Sequence, residues 1–438
     1  MHISKLIIFA ALAAWPFASP AAEKKKPAPA AETSDGRLTL VDALARTLRR
    51  SPELAAFAYD ERAAEARVLQ AGIRPNPEAS LVVEDIGATR GRGTIADSQA
   101  TLELSQLIEL GGKREARIRE AQAGRTLVHY DYEAKRLEVL RTVATDFVAV
   151  LGAQRRVELQ REIVTLAESL GPEIENRFKI GKASVAEQTR NEVAAATARI
   201  GLATAVRELA NARRQLAGRW GAKGADFDSV SGNLESHPAP AAPGEYLGRL
   251  DAHPSVARWD AETAKRRATV VKERANGTGD VTVGLGTRWL NGPDAAAFVG
   301  SVSIPLPLRN KNEGTIREAQ ALEAKAAVER KAAELTLGAG IREAYGKLVL
   351  AQITAQMLDD TVLPGAQRTV DAVNAGFATG KFSYLEVLEA RRTLNDARTQ
   401  HLTALVEYHK TAVELDALTG GHGRLRTTAA PARAVKKK

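Results

Sequence analysis

The chain has 438 residues, no cysteine and a formal charge of +9, and Lys24, Lys25, Lys26, Lys436, Lys437 and Lys438 supply six of those charges, leaving the body near +3. Without cysteine there is no disulfide and no lipidated N-terminal cysteine, so any membrane attachment must come from the fold itself. Acidic and basic residues are interspersed along the body, which gives a solvated surface and excludes the basic stripe of a nucleic-acid binder.

Residues 1–22 read as a secretory signal: His2 and Lys5, an apolar run over 6–14, and a small-residue cleavage region over 18–22. The apolar run is too short to span a bilayer as a helix. A Pro/Ala-rich linker, 23–36, is expected to be disordered, as is a basic tail, 421–438. Between them no stretch of about eighteen apolar residues occurs, so only a β-barrel could carry this chain across a membrane.

The body says the same thing twice. Ile118-Arg-Glu-Ala-Gln-Ala123 recurs as Ile316-Arg-Glu-Ala-Gln-Ala321, 198 residues on, and Phe178-Lys-Ile-Gly-Lys returns as Phe377-Ala-Thr-Gly-Lys, 199 residues on. A period this constant predicts a duplicated unit, with a first repeat over 37–221, a connecting segment over 222–244 and a second repeat over 245–420. In each repeat a helix with Pro at its first turn comes first, over 52–73 and 254–276. A strand pair follows, 79–86 with 98–107 and 280–290 with 297–306. Next comes one very long helix, 113–179 and 311–378, then a Gly turn and a returning helix, 184–219 and 383–418. The helices carry coiled-coil-like rows with many small residues, such as Ile341, Ala344, Leu348, Ala351, Ala355 and Leu358. An unbroken helix over 113–179 would be about 100 Å long, far beyond a globular domain.

The strands alternate. Leu102 and Leu104 are set between Thr101, Glu103 and Ser105, and Val281, Val283 and Leu285 are set among Thr282, Gly284, Gly286 and Arg288. Each run has about the nine residues that a tilted strand needs to cross a bilayer, with one greasy and one wet face. Four strands cannot close a barrel, and eight give an interior filled by side chains. Twelve leave room for a conduit. The expected fold is therefore mainly α with a small β contribution: long helical hairpins around an α-barrel tunnel, and four strands per chain in a twelve-stranded trimeric barrel. The loops 87–97 and 291–296 would face outward from the cell.

Three segments carry a resemblance: Leu38-Thr-Leu-Val-Asp-Ala-Leu44 with Ser51-Pro-Glu53, Gln106-Leu-Ile-Glu-Leu-Gly-Gly-Lys-Arg114, and Gly380-Lys-Phe-Ser-Tyr-Leu-Glu-Val-Leu-Glu-Ala390. The chain resembles the outer-membrane efflux (TolC-like) family, and its 106–114 segment is similar to the cobalt–zinc–cadmium (CzcC-like) subfamily. The resemblance implies a homotrimer in the outer membrane of a Gram-negative cell. It would be the exit duct of a three-part pump whose other members are a periplasmic adaptor and a proton-driven inner-membrane transporter, exporting divalent heavy-metal cations. It also implies that the adaptor contacts the helical tips, here Ile180, Gly181, Lys182 and Ser184 with Thr379, Gly380, Lys381 and Ser383. The family's constriction carboxylates match Glu386 and Glu389, with Glu187 on the first tip. Three-fold symmetry would make each a ring of three negative charges. The family's polar latch positions match Phe377 and Phe382, which points to apolar closure here.

No enzyme signature is present. The seven histidines do not fall in metal-ligand spacings, and the two methionines offer no soft-metal site, so neither a resident metal nor a cofactor is expected. Other readings remain open at this stage: a drug-efflux or type I secretion channel, or a periplasmic adaptor or scaffold, which should have one hairpin flanked by many strands.

Overall fold

The computed structural model describes residues 36–86, 98–291 and 295–421. The expected signal, nearly all of the linker and tail, the loop 87–97 and part of the loop 291–296 lie outside the described residues. From Arg37 onward the elements are β1 (Arg37–Leu38), α1 (Leu40–Arg50), α2 (Pro52–Ala71), β2 (Glu78–Glu84), β3 (Gln99–Ile108), α3 (Lys113–Ser169), α4 (Gly171–Lys179), α5 (Val185–Gly218) and β4 (Ser229–Val230). They continue with α6 (Pro243–Leu247), α7 (Pro254–Asn276), β5 (Val281–Leu290), β6 (Ala295–Ser303), α8 (Glu313–Met357), α9 (Leu363–Ala378) and α10 (Tyr384–Leu418). The described residues are mainly helical.

The long helix expected over 113–179 is two helices. α3 alone runs 57 residues, about 85 Å, and stops at Ser169. Gly171-Pro172 follows, and a proline inside a helix lacks the N–H and clashes with the carbonyl four residues back. The helix expected over 311–378 is interrupted as well. There a π-helical turn, Leu358–Val362, absorbs the same clash ahead of Pro364. α2 and α5 both pack along α3, while α7 and α10 pack along α8. The rows read from sequence do bury: Ile341, Ala344, Leu348, Ala351, Ala355 and Leu358 all lie in the core.

The four longer strands form one antiparallel sheet in the order β2-β3-β5-β6, so each repeat's pair sits beside the other through β3 and β5. Its two outer edges, on β2 and β6, are open among the described residues. One face carries Leu81, Val83, Leu102, Leu104, Val283, Leu285, Trp289, Phe298 and Val302, all exposed. On the other face the Ser301 hydroxyl donates to Glu103 Oε1, and Arg288 Nε donates to Thr101 Oγ1 at 3.0 Å. Gly284 and Gly286 let Glu103 lie flat across β5, since a Cβ on Gly284 would fall 1.9 Å from its Oε1.

Strand ends shift from expectation. β2 ends at Glu84 and not 86, because Asp85 takes a left-handed φ of 62°. β6 ends at Ser303 and not 306, because Pro305 and Pro307 have no N–H for a ladder.

The connecting segment 222–244 is more than a linker. β4 pairs in parallel with β1, and the Gln154 amide bridges both backbone groups of Val230 at 2.8 and 3.1 Å. Phe227, Val230 and Leu234 bury with Leu38, Phe147, Leu216 and Trp220 in the largest cluster of the core. Tyr408 OH donates to Pro238 O at 2.7 Å, tying the same segment to α10. Helix α1 was also absent from the sequence reading, although Thr39 and Asp42 form a reciprocal capping box at its start.

Candidate functional site

The end of the helical body remote from the sheet consists of two turns, and they share one construction. α4 ends at Gly181 (φ 72°), where Lys182 N donates to Arg177 O at 2.8 Å, and α9 ends at Gly380 (φ 78°), where Lys381 N donates to Gly376 O at 2.8 Å. Each is a six-to-one hydrogen bond closing a helix on a left-handed glycine. A serine then starts the return helix. Ser184 N donates to Glu187 Oε2 at 2.8 Å, and Ser383 N donates to Glu386 Oε2 at 2.7 Å. Backbone N–H groups of Glu187 and Glu386 donate back to the serine hydroxyls at 3.3 and 3.4 Å.

Glu187 and Glu386, singled out as gate carboxylates, are therefore also the third-position glutamates of two capping boxes. The Ser-x-x-Glu pattern that announces such a box stood in the sequence at both places and went unread. The Glu386 carboxyl is held below its ordinary range by hydrogen bonds from the Ser383 backbone and hydroxyl. Glu389 is exposed, one turn further along α10, with no side-chain partner among the described residues.

The aromatic residues separate. Phe377 is buried with Leu170, Ile174, Tyr384 and Val387, and the Arg177 guanidinium stacks 3.9 Å from its ring centre. Arg177 Nη2 also donates to Phe377 O at 2.9 Å, so the first tip grips the second. Tyr384 OH donates to Asn191 Oδ1 at 3.1 Å, and burial pushes its hydroxyl pKa up. Phe382 lies over Gly376, where a Cβ would come within 2.0 Å of its ring. Neither Tyr384 nor Asn191 was flagged by sequence, since each reads as an ordinary helical position. Arg391, half-buried and with its pKa lowered by burial, donates to Leu166 O at 3.0 Å and holds α10 against α3.

The first tip leaves Phe178, Ile180 and Val185 exposed, while Lys182 and Lys381 extend from the two turns into solvent. Thr379 turns its hydroxyl back to Gly376 O at 3.0 Å. Among the described residues no group of three or more His, Asp or Glu side chains could hold a metal ion, and no helix is long and apolar enough to cross a membrane. Among the described residues the two tips offer exposed apolar side chains and charges.

Comparison with known proteins gives the frame for these surfaces. The model of the outer membrane efflux protein family matches residues 43–222 and 249–421. The cobalt-zinc-cadmium resistance protein CzcC of Cupriavidus metallidurans is 34% identical over 385 residues, covering 88% of this chain and 90% of that protein. The nickel-cobalt-cadmium resistance protein NccC of Alcaligenes xylosoxydans xylosoxydans is 29% identical over 283 residues, 61% of each. The crystal structure of the outer membrane protein VceC from Vibrio cholerae superposes with a TM-score of 0.71 at 17% identity, covering 87% of this chain and 96% of VceC. Channels of this family are homotrimers that work within tripartite pumps. The chain belongs to the outer membrane efflux protein family: it is an efflux channel of the Gram-negative outer membrane with its helices in the periplasm, and it is not an enzyme.

Proposed function

We propose that three copies of this chain close a twelve-stranded barrel and form the exit duct of a pump for divalent heavy-metal cations. The observation that carries the barrel is the sheet, which has one exposed apolar face, one polar face and two open edges. An open edge in lipid leaves backbone groups unpaired at several kcal/mol each, so β2 must meet a β6 from another copy. The cargo reading rests on the 34% identity to CzcC over most of both chains.

At the tips, three copies would bring Glu386, Glu389 and Glu187 into rings around the axis, a field that favours cations and disfavours anions. Glu386 can serve both roles, because its Oε2 caps the helix while the charge remains. Phe377 is sequestered in packing, so among the latch positions Phe382 is the one available for apolar closure. The exposed Phe178, Ile180 and Val185, with Lys182 and Lys381, would receive a periplasmic adaptor. That adaptor would couple the duct to a proton-driven transporter of the inner membrane.

Deleting the gene tests the cargo. Tolerance to zinc, cobalt and cadmium should fall while drug tolerance holds, and the reverse pattern would rule out metals. For the rings, Glu386→Gln with Glu389→Gln keeps the capping geometry, since glutamine also fits the box. Cation preference in planar bilayers should drop. An unchanged preference would remove the carboxylates from the gate.

A further inference from the structure

The outward alternation of β6 does not stop with the strand. Beyond Ser303 the chain runs Ile304-Pro305-Leu306-Pro307-Leu308-Arg309-Asn310-Lys311. Residues 304, 306 and 308 continue the parity of Phe298 and Val302, and Leu306 and Leu308 are 72% and 82% exposed. Two leucines this bare on a segment without regular structure are costly in water, about 25 cal/mol for each Å² of apolar surface.

The segment is held where it is. Pro305 packs on Gly279, where a Cβ would lie 2.6 Å from Pro305 O, and the Lys311 carbonyl packs on Gly277, where a Cβ would lie 2.8 Å away. Asn312, in a left-handed conformation, donates from its side-chain amide to Glu273 O at 2.8 Å. These contacts hold the segment against α7 and the connection 277–279 that leads into β5. Just beyond the leucines, Arg309 and Lys311 are exposed and make no ion pair among the described residues. Arg274, whose carbonyl borders Gly277 as the Lys311 carbonyl does, is a third such cation.

We propose that residues 304–311 are an interfacial anchor. Leu306 and Leu308 enter the periplasmic leaflet of the outer membrane, and Arg309, Lys311 and Arg274 bind the phosphates of anionic phospholipid. Apolar side chains followed at once by unpaired cations match the acyl and headgroup layers in the order a chain leaving the membrane meets them. The pinned backbone fixes the height of the barrel in the bilayer and keeps the long helices from sliding along its normal. This rests on the reading that the sheet crosses the membrane, and it is independent of cargo.

The absence of cysteine makes the test direct. Val302→Cys, Leu306→Cys and Leu308→Cys would each carry a spin label in the full-length protein, reconstituted in vesicles of phosphatidylethanolamine and phosphatidylglycerol. Labels at 306 and 308 should collide with oxygen more than with a water-soluble nickel chelate, at a shallower depth than the label at 302. Labels at 306 and 308 open to water, or shielded from both reagents by a neighbouring copy, would overturn the anchor while a lipid-exposed 302 keeps the barrel. If the label at 302 is in water too, the barrel reading falls with it. For the cations, a fluorophore at 306 should be quenched better by brominated phosphatidylglycerol than by brominated phosphatidylcholine. Arg309→Gln with Lys311→Gln should cut that preference by about fivefold per charge. An unchanged preference would overturn the headgroup contact.

Discussion

The two tips have the same backbone and opposite surfaces. Phe178 is 40% exposed while its counterpart in the second repeat, Phe377, is 7% exposed, and Val185 is 64% exposed where Tyr384 is 1% exposed. Left-handed glycine, six-to-one bond and capping box are common to both, so the turn chemistry does not set this difference. Packing does. Arg177 and Asn191 of the first repeat reach across to Phe377 and Tyr384, and the second repeat has glycine and alanine at the matching places, Gly376 and Ala390. The two turns share one hydrogen-bonding construction. The second tip is a socket filled from the first, and the first leaves its own apolar side chains exposed.

Removing the socket should have the largest effect. Tyr384→Ala deletes a buried aromatic ring and a hydrogen bond, and it should cost about 3–5 kcal/mol of local stability. Hydrogen exchange over 370–395 would rise by that margin. Val185→Ala, at the matching place of the first tip, should change exchange there by less than about 0.5 kcal/mol, because it removes nothing buried. Equal losses at the two tips would erase the distinction between them.

Gly376→Ala comes next. Its Cβ would meet the Phe382 ring at 2.0 Å, so Phe382 must leave, at about 1–3 kcal/mol. The change should also alter single-channel closure if Phe382 seals the tip. Below it stand Gly181→Ala and Gly380→Ala. Neither position has an atom near the added Cβ, so only the left-handed backbone is charged, at about 1–2 kcal/mol. The two losses should match, because this part of the tips is the part they share.

The smallest effect is that of pH on Glu386. Its folded pKa is lowered, so the capping it provides is complete above the ordinary carboxyl value of 4.5 and is lost as pH falls through the depressed folded value. Exchange at the first turn of α10 should rise only in that acidic window. Glu386→Gln, which retains the cap without a titrating group, should flatten the response.

Much of this was readable from the chain. The 199-residue echo, the small-residue rows and the alternating strands follow from local periodicity, which one sequence displays completely. The helix breaks were readable too, since Pro172 and Pro364 stand in plain view, but long coiled-coil rows masked them. The socket was different. Arg177 over Phe377 and Asn191 under Tyr384 join residues about 200 apart, and no spacing rule links them. The girdle around Phe227 and Trp220 escaped for the same reason, because its strands have two residues each and owe their order to tertiary contact.

The claim that three copies complete one wall through the edges of β2 and β6 can be tested by cross-linking. With no native cysteine, one cysteine on β2 and one on β6, scanned over neighbouring registers, can be oxidised in isolated outer membranes. Some pair should give a covalent ladder that ends at three chains under denaturing conditions. If every register yields only monomer, or if the ladder runs past three, the barrel described here is wrong.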